Sequence, residues 1–216
     1  MKKNVLIQAV AVVLSAMMCA SLSACGSTAT QQEIAKPRIG ISQETSRFQF
    51  SRVKLYSSIQ EMADDSSHIV AGIVTSQKVE EDVAAPGTHV TLSKFRIMDS
   101  LKGDKKPGEE ITILQDGERD PMILKENEVV LLFLDAMYTG DARDLPWKGQ
   151  YAVSGVWAGI YSLSNINEFT TLASIESNNS DRGTNEEDVN FSRFMVSPSD
   201  QLPETISLSA VRDLQK

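Results

Sequence analysis

From position 26 onward this chain has no cysteine; its two thiols are Cys19 and Cys25. That stretch can form no disulfide and offers no thiolate to a structural zinc, so its stability has to come from a packed core. Histidine is almost as scarce, at His68 and His89 alone, which leaves few ways to build an imidazole metal site or a proton relay. Lysine and arginine are outnumbered, 21 against 29 acidic residues. An acidic surface repels phosphate backbones and anionic headgroups, which excludes nucleic-acid binding and electrostatic adhesion to a membrane. The longest apolar run, residues 5–18, falls short of the roughly 20 residues that a spanning helix needs. No internal repeat is visible in the sequence.

What stands before residue 26 is specific. Lys2 and Lys3 make a basic start, Val5 to Met18 an apolar stretch, and Leu22-Ser23-Ala24-Cys25 follows. This order resembles the signal peptide and lipobox of bacterial lipoproteins. The resemblance implies that residues 1–24 are removed, with Cys19 among them, and that the Cys25 thiol carries a diacylglyceryl group. Small side chains at Ser23 and Ala24 suit an extended chain in a peptidase cleft. Removal takes away Lys2 and Lys3 and no acid, leaving 19 basic against 29 acidic residues. Two acyl chains hold a protein to a bilayer where one does not. The expected location is the extracytoplasmic face of the cell membrane, reached through the lipid anchor alone.

Residues 25–46 read as a lipidated cysteine and a flexible tether, polar, without apolar periodicity and carrying Pro37 and Gly40. Residues 47–216 are sized for a single domain. Ser57-Ser58-Ile59-Gln60-Glu61 offers a capping box, Ser58 with Glu61 or Ser57 with Gln60, which predicts a short helix. His68 to Val74, HIVAGIV, predicts a first core strand, with Gly72 where it bends sharply. In the next segment Val90 and Leu92 share one parity, Phe95 and Ile97 the other, and this slip predicts a β-bulge. Glu110 to Leu114 predicts the partner strand of a hairpin, and Val129 to Leu134, VVLLFL, a strand covered on both faces. Further strands are expected at 150–156, 157–163 and 168–172, an acidic exposed loop at 177–188, and a short terminal helix with Leu208, Val211 and Leu214 on one face. The fold class expected is mainly β, a small barrel with short flanking helices.

The succession SSHIVAGIV, DSLKGDKKPGEEITI and LKENEVVLLFL resembles the strand core of netrin-like and tissue-inhibitor-of-metalloproteinase-like domains, and poorly characterised bacterial surface lipoproteins that share it. The likeness spans roughly residues 57–163 and implies an OB-like barrel. The eukaryotic domains carry disulfides, which this chain lacks. Inhibitors of that family place a free N-terminal cysteine on the enzyme's zinc, a role that a lipidated Cys25 is unable to fill.

Three groups of residues invite chemistry. Asp64-Asp65-Ser66-Ser67-His68 gathers acid, hydroxyl and imidazole, but triads converge in space rather than in sequence, and no nucleophile elbow accompanies it. His68 opens one strand and His89 the next, so an antiparallel hairpin sets the two imidazoles about 30 Å apart, too far for one zinc. Asp116, Glu118 and Asp120, and Asp181, Asn185, Glu186, Glu187 and Asp188, supply oxygen ligands for at most weak Ca²⁺ binding; neither stretch has EF-hand spacing, and no other cofactor is implied. Tyr138, Trp147, Tyr151, Trp157 and Tyr161 are crowded for a chain only 6% aromatic. Rings with a polar tip stack on sugars and grip peptides. Tyr138, Trp147, Tyr151 and Trp157 form the candidate binding set, with Trp157 and Tyr161 also suited to fill the barrel and Trp147 expected to be exposed. The function expected is a non-enzymatic, membrane-anchored module that binds an envelope protein, peptide or glycan. The alternatives are an envelope hydrolase using His68 or His89 with nearby acids, and a protease inhibitor working through barrel loops.

Overall fold

Residues apolar on both faces need cover on both faces, and the fold is built around two such strands. The computed structural model describes residues 36–38, 54–83, 85–117, 123–138, 140, 146–177, 188–195 and 201–216. The expected signal peptide, Cys25, most of the expected tether, Glu118, Asp120 and residues 178–187 lie outside them. The elements in order are α1 (Ile59–Asp65), β1 (His68–Glu81), β2 (His89–Lys102), β3 (Glu110–Asp116), β4 (Val129–Ala136), β5 (Gln150–Val153), β6 (Ile160–Leu163), α2 (Glu168–Ser177), β7 (Asn190–Arg193), β8 (Thr205–Ser207) and α3 (Leu208–Asp213). The protein is mainly β, with one eight-stranded sheet that partly closes on itself.

Five strands make the closed part. β1 pairs with β2, β2 with β3, β3 with β5, β5 with β4 and β4 with β1; all are antiparallel except β3–β5. The edge of β4 away from β1 is divided, with Val130–Leu132 on β6 and Leu134–Ala136 on β5. β6, β7 and β8 then continue the sheet outside the ring. β1 and β4 are therefore shared walls. Val70, Val74, Val130, Leu132 and Leu134 face an interior with Phe95, Ile97, Ile113 and Trp157. Ile69, Ala71, Ile73, Val129, Leu131 and Phe133 face an outer core that α1, α2, α3 and the outer strands cover.

Gly72 lets β1 bend tightly against β2, because a Cβ there would lie 2.1 Å from the Arg96 carbonyl oxygen. The bulge predicted in β2 sits elsewhere. β2 keeps an unbroken register with β3 from Val90 to Arg96, while β1 carries an extra residue at Thr75 and β2 carries extras at Met98 and Leu101. The parity slip has another cause. Thr91 and Ser93 continue the inward face of Phe95 and Ile97, where Thr91 donates to the Gly117 carbonyl at 2.7 Å and Ser93 accepts from Gln77 at 2.8 Å. Val90 and Leu92 lie on the other face, opposite Glu80 and Lys78, whose stems accompany them.

One expected strand is a helix. Residues 168–172 are helix, not strand: Asn165 accepts from the Asn167 N–H at 3.0 Å, the chain turns into α2, and Leu172 and Ile175 are buried one turn apart. Within the expected tether, Arg38 pairs with the approach to β4, its N–H donating to Asn127 at 2.7 Å and its carbonyl accepting from Val129 at 3.3 Å. Strand β1 also runs beyond Val74 to Glu81, and β5 ends at Val153 rather than 156. The terminal helix has Leu208 and Val211 buried and Leu214 half-buried, as its spacing predicts.

Candidate functional site

Antiparallel pairing brings the start of β1, the end of β2 and the β4–β5 junction together, since Ile69 faces Lys102, His68 faces Leu134 and Ala136 faces Tyr151. Ser58 caps α1 by accepting the Glu61 N–H at 3.1 Å, and Glu61 accepts the Ser57 N–H at 2.8 Å and its hydroxyl at 2.7 Å. Lys102 donates to the Ala63 and Asp64 carbonyls at 2.6 and 3.2 Å, neutralising the far end of the same helix. These contacts deliver Ser66, Ser67 and His68 to one rim of the barrel.

The His68 ring, with 12% of its side chain exposed, is held on every side. Its Nε2 lies 2.9 Å from Asp104 and its Nδ1 3.0 Å from the Ser67 hydroxyl. Tyr151 meets it edge to face, with centroids 5.0 Å apart. Gly103, at φ +100°, leaves room for the ring; a Cβ there would fall 2.3 Å from its Cδ2. The contact to His68 is the chief reason that the Asp104 carboxyl is held below the ordinary carboxylate value, aided by Lys105. Burial lowers the Lys105 ammonium, but the Tyr151 hydroxyl and Asp104 together raise it further.

Ser67, His68 and Asp104 are the residue types of a hydrolytic triad, but their wiring serves the sheet. The Ser67 hydroxyl accepts the Ala136 N–H at 2.9 Å and donates to the Leu134 carbonyl at 3.0 Å, replacing the next rung of the β1–β4 ladder. To attack a substrate it would have to release that rung. A second polar chain runs beneath: Ser66 donates to the Met62 carbonyl at 2.8 Å and lies 2.9 Å from Ser154, which donates to Asp135 at 2.8 Å. Ser66 and Ser154 are buried, and burial first, then Asp135 and Asp65, push the nearby Tyr56 phenol upward.

The aromatic candidates separate by depth. Trp157 is buried in the interior core and Tyr161 in the outer one, its hydroxyl donating to Pro203 at 3.3 Å. Neither offers a surface to a ligand. Tyr151 is buried against His68. Tyr138 and Trp147 belong to the β4–β5 connection, where Met137 donates to Gln150 at 3.0 Å and the Lys148 ammonium stands 5.5 Å above the Tyr138 ring. Trp147, expected to be exposed, is half-buried in a single 3₁₀ turn with Pro146.

Other candidates lie apart. His89 pairs with Glu81 at the far end of β1 from His68, as the hairpin predicts. Asp188 accepts from the Ser209 N–H and hydroxyl at 3.2 and 2.6 Å at the start of α3; burial raises its carboxyl, and the Ser209 and Ser207 contacts outweigh that and lower it. Among the described residues no three or more of His, Cys, Asp and Glu gather to hold a metal, and no helix among them is long and apolar enough to cross a membrane. Asp104, Lys105, Asp135 and Ser154 were not singled out from sequence. Asp104 had a signal, because His68 opens β1 and Lys102 closes β2. No protein-family model matches this chain, and no curated protein matches it.

Proposed function

We propose that the chain is a lipid-anchored extracytoplasmic module of the OB type, akin to netrin-like domains, that binds an envelope protein, peptide or glycan at the β4–β5 rim. The observation that carries the reading is the placement of Tyr138, Lys148 and Trp147 on one connection beside a barrel already filled with side chains. Among the described residues the interior is lined by packed apolar side chains, which favours recognition at the rim, the region that OB barrels use through their loops. The strand succession 1-2-3-5-4, closed by β1–β4, supports the OB assignment. The anchor rests on the Leu22 to Cys25 motif.

Crosslinking on intact cells with recovery of the chain tests the reading without presuming a partner. Trp147→Ala is expected to lose the crosslinked species while its melting temperature changes little, and Cys25→Ala to lose acyl label and membrane retention. A retained partner, or a melting temperature that falls by many degrees in Trp147→Ala, would overturn the rim as contact site. The hydrolase reading draws on the Ser67–His68–Asp104 contacts. Against it stand the two main-chain bonds of Ser67, from which Ser67→Ala is expected to weaken the fold rather than the capture of a partner.

A further inference from the structure

The β1–β2 hairpin runs past the ring. β1 leaves β4 after Ile73 but stays paired with β2 to Glu81. Beyond Ile73, among the described residues, no strand takes the outward edge of β1. The orientation of that edge follows from the ladder. Asp82 donates to Thr88, so the even residues turn their main-chain groups toward β2, and the odd ones, Gln77, Val79 and Glu81, turn theirs outward. The outward N–H of Gln77 donates to a Glu126 side-chain oxygen at 3.1 Å. Val79, 46% exposed, follows it.

Open edges are usually blunted by charge, because a lysine set against its like repels a second strand. Here the charges do the opposite. In an antiparallel pair centred on Val79, Val79 faces Val79 of a second copy and exchanges both main-chain bonds with it, as its outward N–H and C=O require. Lys78 then faces Glu80 twice by symmetry, and Gln77 faces Glu81, whose carbonyl takes the Gln77 N–H over from the Glu126 side chain. Lys78 and Glu80 stand on one face of β1, 2.5 Å apart within a chain, with side chains 57% and 48% exposed. A second copy would turn each isolated pair into an alternating square of four charges.

We propose that the edge Gln77–Glu81 joins two copies of this chain through an isologous antiparallel β-pairing centred on Val79. The contact is small, of the transient class rather than the permanent one, so it forms where copies are concentrated on one surface.

A cysteine at the symmetry centre reports the register. In the full chain, in the membranes of the cells that make it, Val79→Cys is expected to give a disulfide-linked dimer on mild oxidation, because residues facing each other across such a pair lie within disulfide reach. Glu81→Cys would stand roughly 13 Å from its counterpart, at about 3.3 Å per residue, and is expected to give none. The chain without an added cysteine sets the background for Cys19 and Cys25. Adding Lys78→Glu or Glu80→Lys to the Val79→Cys chain sets like charges opposite one another and is expected to cut the dimer about fivefold. Producing those two variants together, with different tags, restores opposite charges across the pair and is expected to recover a mixed dimer. Absence of the Val79→Cys dimer, an equal yield from Glu81→Cys, or indifference to the charge variants would each overturn the proposal.

Discussion

Two carboxylates with opposite environments give single residues a readable pH signature. Glu61 is half-buried at the surface and accepts the Ser57 N–H and hydroxyl, with Lys54 at 3.2 Å, which draws its pKa from the ordinary 4.5 to about 2. A lowered folded value means that the contribution is complete above about 4.5 and is lost as pH falls toward about 2. Glu128 is buried, and burial raises its carboxyl despite the Lys125 N–H at 2.9 Å and the charges of Lys125 and Arg38. Its ionised form is the costly one, so that cost is absent well below 4.5 and grows as pH rises through the window between its unfolded and folded values. Glu61→Gln is therefore expected to melt below the native chain at pH 7 and level with it near pH 2. Glu128→Gln keeps an acceptor for Lys125 and is expected to melt above the native chain at pH 7 and level with it at pH 4. Melting curves at these pH values check both, and a Glu128→Gln gain that does not grow from pH 4 to pH 7 would show that the carboxylate sits there without penalty.

At the level of elements, the first half of β1 and strands β2, β3 and β4 were legible because their residues alternate or run apolar, and Gly103, Pro107 and Gly108 punctuate the connection between β2 and β3. The junctions were not. Residues 168–172, EFTTL, look like a strand over five positions; only with Ile175 does the helical spacing from Leu172 emerge. β7 and β8 are short, and their pairing is set by tertiary contact rather than by pattern. The site was legible in part for the same reason: His68 and Tyr151 sit on patterned strands, whereas Asp104 and Lys105 sit in a turn whose side chains no period constrains. The corner between β5 and β6 is the clearest case of local rule-breaking. Val156 holds φ +68° there with half its surface exposed, a conformation that a β-branched residue adopts only under strain. Because the side chain is exposed, removing it sacrifices little packing, and Val156→Gly is expected to raise stability by about 1 kcal/mol in urea unfolding. A loss of similar size would mean that Val156 is held by contacts rather than imposed by the corner.

For the whole molecule, the question is what fastens the last helix to a barrel that begins more than a hundred residues earlier. α3 buries Leu208 and Val211 in the outer core, and its Arg212 reaches across to Asp99 of β2 at 2.5 Å. Asp99 has no exposed surface, whereas Arg212 keeps 28% of its side chain in solvent. The desolvation cost thus falls on the acid, and the guanidinium supplies the compensating charge. Asp99 lies directly beside the Met98 bulge, where β2 shifts register against β1, so the ion pair joins the terminal helix to the irregularity that lets the sheet curl. Arg212→Ala leaves a buried carboxylate without its guanidinium and is expected to cost about 3 kcal/mol, well above the loss for an ordinary surface arginine. Replacing both partners with apolar residues, Asp99→Leu with Arg212→Met, removes the charge that needs compensation and is expected to restore most of that loss. Urea unfolding of the two variants separates the outcomes. Recovery in the double variant identifies the pair as an electrostatic fastening, and an equally unstable double variant would instead make Asp99 a geometric requirement of the bulge.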